Sequence, residues 1–290
     1  MIIEGIISKI IAGFYYVDDF LGNKYECKAR GVFRKEEIKP VVGDKVIIEN
    51  RNDGAYIISK INERKNLLIR PPIANVDIAI VVIASVMPEV SLLFLDKLLI
   101  NILKENIKPI LCVNKIDLDN SETYNLIKEQ YFEFDIIKMS AIENIGFEEL
   151  REKISGKISV FAGQSGVGKS SILNRLIPNA NLKVGDISNK LERGKHTTRV
   201  VELLKLDNST YVADTPGFSS IELKDFLRSD LKRYYPEFIQ YMSCRFKSCD
   251  HINEPGCTVK EAVQNNKISY ERYERYKELY YQLPNQKIYY

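Results

Sequence analysis

A glycine-rich segment constrains the fold of this chain more than any other feature. The pattern G-x-x-x-x-G-K-[ST] matches Gly163 to Ser170, between an apolar run at 157–162 and a helical pattern at 169–176. Because glycines let backbone N–H groups converge on an anion at a helix N-terminus, this unit predicts a phosphate-binding loop in an α/β domain. We expect nucleotide contacts from Gly163, Gln164, Ser165, Gly166, Val167, Gly168, Lys169, Ser170 and Ser171.

Two side chains of this segment have expected roles in binding a nucleoside triphosphate. Lys169 would place a positive charge on the β- and γ-phosphates. Ser170 would offer its hydroxyl to Mg²⁺. The loop therefore predicts a nucleotide and a magnesium ion, but does not choose between ATP and GTP.

Apolar strand-like runs alternate with helical patterns through residues 66–222, which predicts a three-layer α/β domain. The predicted strands are 76–84, 109–113, 136–139, 157–162, 200–206 and 211–213, and the predicted helices are 91–104, 122–130, 147–154 and 169–176.

The N-terminal part, residues 1–65, has about five short β-rich segments separated by turn residues. This pattern predicts a small closed barrel such as an OB-fold, with a small barrel that binds no ligand as the alternative. The consecutive prolines of Arg70-Pro71-Pro72 suggest a linker to the next domain, because proline resists both helix and sheet.

The segment Asn114-Lys115-Ile116-Asp117 selects between the two nucleotides. It follows a predicted strand, at the sheet edge where such domains bind ligands. A carboxylate at Asp117 can accept from the ring N–H and the exocyclic amine of guanine, a pattern that adenine lacks. Lys115 can lie over the base and Asn114 can brace the loops, so the segment, with Ile116, predicts a guanine site. Ser140-Ala141 resembles the second base-contacting element of GTPases.

Two further segments resemble GTPase switches. In Asp214-Thr-Pro-Gly217, Asp214 would hold Mg²⁺ through water and the Gly217 amide would sense the γ-phosphate. Gly194–Arg199 would supply Thr198, in preference to Thr197, to the metal; a polar loop is the alternative. The base-reading elements precede the phosphate loop here, whereas ordinary small GTPases have the reverse order. The sequence therefore predicts a circular permutation in which switch II leads directly into the C-terminal part.

The C-terminal part, residues 223–290, contains a compact group of metal-ligating residues. Cys244, Cys249, His251 and Cys257 supply three thiolates and an imidazole, a complete tetrahedral set for structural Zn²⁺. A segment with so little core would gain its order from the metal. The segment 269–281 is helical in pattern and rich in tyrosine, which favours a packing face for Tyr273, Tyr276 and Tyr280 over RNA contact.

Composition narrows the class of protein. Apolar residues make up 45% of the 290 and charged residues 28%, as in a globular protein. No apolar run reaches the ~18 residues of a membrane helix, and the N-terminus lacks the basic start of a secretory signal. The five cysteines do not form a secreted disulfide framework. The two ends are mildly basic, which fits nucleic-acid binding or a solvated surface equally well.

The order of a β-barrel, a permuted GTPase domain and a Cys-Cys-His-Cys module resembles the ribosome-small-subunit-dependent GTPase A family (RsgA, also called YjeQ). The resemblance covers nearly the whole chain. It implies a bacterial cytoplasmic GTPase that acts in late maturation of the small ribosomal subunit. The implied partners are GTP or GDP and small-subunit rRNA, bound through the barrel and zinc domains; we expect a monomer without membrane contact.

The residue that would orient the attacking water differs here from that of many GTPases. Phe218 stands after Gly217, where many GTPases have a glutamine that orients the attacking water. We hypothesise that His196 reaches this water when the ribosome orders its loop; a solvated histidine is the alternative. Two other functions stay open: a zinc-dependent RNA-binding module with a vestigial nucleotide site, and an ATP-dependent kinase, which Asp117 disfavours.

Overall fold

The structure of the chain is a computed structural model. Among the residues that it describes, no helix has the length and apolar character needed to cross a membrane. The described residues are 2–31, 33, 38–51, 54–69, 71–119, 121–177, 201–214, 222–223 and 226–285.

The N-terminal domain is a closed five-stranded barrel. The strands pair in the order β1-β2-β3-β5-β4 and return to β1, and only the β3–β5 pair is parallel. Side chains such as Ile7, Val17 and Ile48 fill its interior and are fully buried. This arrangement confirms the predicted OB-type barrel. The strands are β1 (Ile2–Ile11), β2 (Phe14–Asp19), β3 (Lys24–Ala29), β4 (Lys45–Asn50) and β5 (Tyr56–Ile61).

A short hairpin follows the barrel, at the place where the sequence suggested a linker. Its strands, β6 (Leu67–Ile69) and β7 (Pro72–Ala74), pair antiparallel. Proline is tolerated here because Pro72 begins its strand in a two-stranded sheet, where few ladder bonds are needed. The Ala74 amide donates to the carbonyl of Val42 at 2.8 Å, so the hairpin is attached to the barrel rather than spacing the domains apart.

The central domain is a six-stranded sheet between two layers of helices, as predicted. The strand order is β10-β9-β8-β11-β13-β12, and only β12 runs antiparallel to its neighbour. Separate apolar clusters cover its two faces. The strands are β8 (Ile78–Ala84), β9 (Lys108–Asn114), β10 (Asp135–Lys138), β11 (Ile158–Ala162), β12 (Leu204–Lys205) and β13 (Tyr211–Asp214). The helices are α1 (Leu92–Lys104), α2 (Glu122–Gln130), α3 (Phe147–Ile154) and α4 (Lys169–Leu176).

The central sheet positions the predicted nucleotide motifs at one edge. Strands β9 and β13 end at the first residues of two motifs, Asn114 and Asp214, and β11 ends one residue before the phosphate loop. Because parallel strands end at the same edge, their loops meet there. The predicted strand 200–206 is shorter in the structure: within the central sheet its strand is Leu204–Lys205, while Glu202 forms an isolated bridge to Lys9 of the barrel. Residue 200 lies outside the described residues.

The C-terminal domain is helical and packs around an aromatic cluster. Tyr273 and Tyr276 are buried; the Tyr276 ring meets Phe238 edge-on and the Tyr273 ring is tilted against it. Tyr280 is half-buried, and these contacts confirm the packing interpretation for this face. Ile100 of α1 belongs to the same cluster, so the domain lies against the central domain. A 3-10 helix (Arg228–Tyr234) precedes α5 (Pro236–Ile239), α6 (Thr258–Gln264) and α7 (Tyr270–Gln282).

Candidate nucleotide and metal sites

The loop between β11 and α4 has a backbone that only glycine accommodates at two positions. The φ angles of Gly163 and Gly168 are +127° and +100°. A Cβ atom would lie 2.3 Å from the Val82 carbonyl oxygen at Gly163, and 2.2 Å from Nδ2 of Asn114 at Gly168. Lys169 donates from Nζ to the carbonyls of Gly163 and Gln164, at 2.9 and 2.5 Å. The loop is therefore a tight cradle around an ammonium group, which suits an anionic ligand.

Asn114, the last residue of β9, joins the predicted base-reading segment to the phosphate loop. Its Nδ2 donates 2.9 Å to the carbonyl of Val167, and its Oδ1 accepts from the Ala141 amide at 3.2 Å. The side chain is only 2% exposed. Three segments that are far apart in sequence therefore meet at one buried amide, which agrees with the bracing role expected for it.

Asp117 is held from the next loop along the sheet edge. The Ser140 hydroxyl, which is fully buried, donates to Asp117 Oδ1 at 2.6 Å. Asp117 lies in the middle of a 3-10 turn, Ile116–Leu118, closed by a 3.0 Å bond from the Leu118 amide to the Lys115 carbonyl. The carboxylate is thus oriented by a side chain and by its own turn, which is the preorganisation that base recognition requires.

Lys115 connects the same turn to two other loops. Its backbone is left-handed, with φ of +68°. Its Nζ donates to the carbonyl of Gly166 at 2.9 Å and also to the carbonyl of Met87, in the loop after β8. The alkyl stem therefore runs past the turn toward the phosphate loop, as expected for a side chain that covers a base. The contact at Met87 carries no sequence signal, because every residue type has a backbone carbonyl.

Several predicted residues of the phosphate side are not described. His196, Thr198 and Gly217 lie outside the described residues. Asp214 is described as the last residue of β13, paired with Phe161 of β11, but its side chain is not. Its backbone position puts it at the sheet edge that carries the phosphate loop.

The predicted metal ligands of the C-terminal domain converge. The ligand atoms of Cys244, Cys249, His251 and Cys257 lie within 4.8 Å of one another. Nδ1 of His251 is 3.5 Å from Sγ of both Cys244 and Cys257, and those two sulfurs are 3.9 Å apart. Zn–S bonds of about 2.3 Å would give sulfur–sulfur edges of about 3.8 Å in a tetrahedron. The cluster can therefore hold a metal ion, and its geometry suits a tetrahedral one.

Burial acts in opposite directions on the candidate metal ligands: it favours the neutral imidazole that binds a metal and disfavours the thiolate. Burial, with a smaller effect of the Lys232 charge, lowers the pKa of His251 and keeps the imidazole neutral. Burial raises the pKa of the Cys249 thiol to about 12 in the metal-free protein, so a metal would displace its proton at neutral pH. The Tyr273 hydroxyl donates to the His251 carbonyl at 2.6 Å and ties α7 to the cluster.

A buried ionic network fastens the C-terminal domain to the central domain. Arg272 of α7 is 1% exposed and contacts both Asp96 of α1 and Glu237 of α5. Arg275 also pairs with Asp96, at 2.6 Å, and the Tyr131 hydroxyl donates to Asp96 at 2.6 Å. Since removal of one partner would leave a buried charge unpaired, this network fixes how the two domains dock.

Comparisons with known proteins agree with this architecture. A protein-family model described as "RsgA GTPase" matches residues 61–224, and one described as "RsgA N-terminal domain" matches residues 4–58. A protein of Ruminiclostridium cellulolyticum named "Small ribosomal subunit biogenesis GTPase RsgA" is 48% identical over 286 residues, which cover 95% of this chain and 92% of that protein. A protein of the same name from Geobacillus sp. strain WCH70 is 48% identical over 280 residues, covering 94% of each chain.

Two solved structures resemble this chain over nearly its whole length. The crystal structure of YjeQ from Thermotoga maritima has a TM-score of 0.86 and 38% sequence identity, and covers 99% of this chain and 100% of that one. The structure of YloQ, described as a circularly permuted GTPase, has a TM-score of 0.84 and 36% identity, and covers 100% of this chain and 98% of that one. These matches confirm the resemblance found in the sequence. The chain belongs to the RsgA family of circularly permuted GTPases.

Proposed function

We propose that this protein hydrolyses GTP to GDP and phosphate, that the small ribosomal subunit stimulates the reaction, and that it acts late in small-subunit maturation. One observation carries the proposal: Asn114 joins the base-reading segment to the phosphate loop, so that both face one site. The names of relatives that are 45–48% identical support the ribosomal part.

The base would be recognised by the loops after β9 and β10. Asp117 would accept from the ring N–H and the exocyclic amine of guanine, while Ser140 and the Ala141 segment hold it in place. Lys115 would cover one face of the base, and Asn114 and Ile116 would keep its turn against the phosphate loop. Adenine would leave the carboxylate unpaired and is therefore rejected.

The triphosphate would lie in the loop Gly163–Ser171, with its oxygens on the backbone amides and the Lys169 ammonium. Ser170, with Thr198 and Asp214, would hold Mg²⁺, and the Gly217 amide would contact the γ-phosphate. Mg²⁺ supplies charge neutralisation at the β- and γ-oxygens when it is bound. The glycine cradle of the loop supports this assignment.

Water activation needs a residue other than the usual glutamine, because Phe218 stands at that position and cannot polarise water. We assign the role to His196, acting when the small subunit orders its loop. This assignment predicts slow turnover alone and fast turnover on the ribosome.

The barrel and the C-terminal domain would contact rRNA. A groove of the barrel is lined by Phe14, Lys28 and Arg30, and the Lys28 ammonium lies 5.2 Å from the centre of the Phe14 ring. In the C-terminal domain, Arg245 and Phe246 are exposed beside the cysteine cluster. Aromatic and basic side chains together suit RNA bases and phosphates, so binding should weaken steeply with salt.

The metal of the cysteine cluster would be structural Zn²⁺, held by Cys244, Cys249, His251 and Cys257. Since all four positions are protein ligands, none is open for catalysis. We also propose that the protein is a monomer and works in the cytoplasm, without membrane contact, where small subunits mature.

The test is phosphate release from GTP, measured while purified small subunits are titrated into the zinc-loaded protein. The proposal predicts slow release alone and a saturable increase with subunits. A zinc-dependent RNA-binding module with a vestigial nucleotide site would bind subunits and release no phosphate. In a separate binding competition, displacement of labelled GTP by excess ATP would instead favour an ATP-dependent kinase.

A further inference from the structure

Ser85, the residue that follows β8, lies behind the base-reading turn and belongs to none of the nucleotide motifs. It is 8% exposed. Its hydroxyl donates to the Lys115 carbonyl at 2.6 Å, and its amide donates to the Asn114 carbonyl at 2.9 Å. Ser85 therefore holds two consecutive carbonyls of the segment that precedes Asp117.

The Lys115 carbonyl is the atom that closes the turn around Asp117. It accepts the 3.0 Å bond from the Leu118 amide as well as the bond from Ser85. Lys115 is also in the left-handed backbone region, with φ of +68°, which a side chain other than glycine adopts at a cost. A hydrogen bond to its carbonyl stabilises that conformation, and with it the direction in which Asp117 points.

Thr123, in the first turn of α2, completes the arrangement from the other side. Its hydroxyl donates to the Ser85 carbonyl at 2.7 Å. The loop after β8 is thus held between α2 and the base-reading turn. Both hydroxyls donate to carbonyls at the edge of the sheet, and each adds a hydrogen bond that holds the loop in place.

We propose that Ser85 is a positioning residue for guanine selection, which acts through the Lys115 carbonyl on Asp117, with Thr123 supporting Ser85. The inference rests on the proposed guanine-nucleotide function and adds a residue to it. Ser85 belongs to none of the segments proposed to contact the base or the phosphates. Its effect is therefore expected on the recognition of the guanine amine rather than on phosphate binding.

The experiment compares the Kd of GDP and of IDP, because inosine lacks the exocyclic amine that Asp117 would accept from. The variants are Ser85→Ala and Thr123→Val, measured with the full zinc-loaded chain. Ser59→Ala is the matched control, since the Ser59 hydroxyl also donates to a backbone carbonyl, that of Ile47 at 3.2 Å, but in the barrel.

We expect Ser85→Ala to weaken GDP binding about five-fold, as for the loss of one buried hydrogen bond, and IDP binding less than two-fold. The preference for GDP over IDP would then fall. Thr123→Val should lower the preference for GDP over IDP by a smaller factor. Ser85→Thr, which keeps a hydroxyl, should retain the preference of the unaltered protein. Ser59→Ala should leave it unchanged.

An unchanged GDP/IDP preference in Ser85→Ala would overturn the inference, whether the two affinities stay the same or fall together. A general loss of stability would lower both affinities equally, leave the preference unchanged, and therefore also count against the inference. If the unaltered protein bound neither GDP nor IDP, the proposed function itself would fail, which is a distinct result.

Discussion

The Nδ2 atom of Asn114 lies 2.9 Å from the carbonyl oxygen of Val167, across 53 positions of the chain. This contact joins the segment proposed to read the base to the segment proposed to bind the phosphates. The proposed base-reading segment comes first in this chain, so the contact joins the two segments although their order is the reverse of that in ordinary small GTPases.

Loss of the Asn114 amide should separate these two loops. In Asn114→Ala, the Val167 carbonyl and the Ala141 amide lose their buried partner, at a cost of about 1–3 kcal/mol for each group. We expect GDP binding, measured by calorimetry, to weaken at least ten-fold. The control is Asn101→Ala, which removes a comparable amide-to-carbonyl bond within α1. Equal effects of the two substitutions would contradict the role of Asn114.

Base selection should follow the hydrogen-bonding pattern at Asp117. Xanthine carries a carbonyl where guanine carries its amine, so an amide side chain suits xanthine and opposes guanine. In Asp117→Asn, we expect GDP affinity to fall about 100-fold or more, since charge-assisted bonds are lost, and XDP affinity to rise above that for GDP. Competition between labelled GDP and XDP measures this change in base preference. Retained preference for GDP would place the base elsewhere.

Metal removal should affect the C-terminal domain and spare the nucleotide site. We expect one zinc ion per chain by elemental analysis, and its loss in Cys257→Ser. Thermal unfolding of the C-terminal domain should then occur at a lower temperature, because metal binding contributes to its folding. GDP affinity should change less than two-fold, since Asn114 and Asp117 lie on other elements.

The matched control for this substitution is Cys27→Ser, which alters a buried thiol in the barrel core. It should keep the full zinc content. Full zinc content in Cys257→Ser would show that the four-residue cluster is not the metal site.

The hydrolytic role proposed for His196 predicts a loss of the phosphate release that small subunits stimulate. His196→Ala should reduce phosphate release in the presence of small subunits by at least 100-fold, as for loss of a general base. The slow release without subunits and the affinity for GDP should stay within two-fold. Unchanged release in the presence of subunits would assign water activation to another group.

The sequence predicted the central fold well because its signals are local and repeated. Each buried strand such as β8 is a nearly continuous apolar run, and α2, α3 and α4 have the predicted bounds. The motif residues were found because nucleotide chemistry restricts residue type at fixed spacing. The four candidate metal ligands were predicted for the same reason, and their convergence in space agrees with that prediction.

The elements that sequence reasoning missed depend on tertiary contacts. The hairpin of β6 and β7 contains Pro72 and is held by the barrel, which local propensity does not reveal. Arg272 belongs to no sequence motif, yet it is buried, because Asp96 and Glu237 contact it from elements distant in sequence. Ser85 belongs to no motif, and only the structure places its hydroxyl on the Lys115 carbonyl.

The central claim is that two loops in reversed sequence order form one guanine-nucleotide pocket. Calorimetric titration of the zinc-loaded protein with GDP, and separately with ADP, tests it most directly. We predict one GDP bound per chain and no detectable binding of ADP. Absence of binding by GDP and by GTP, or equal binding of GDP and ADP, would contradict it.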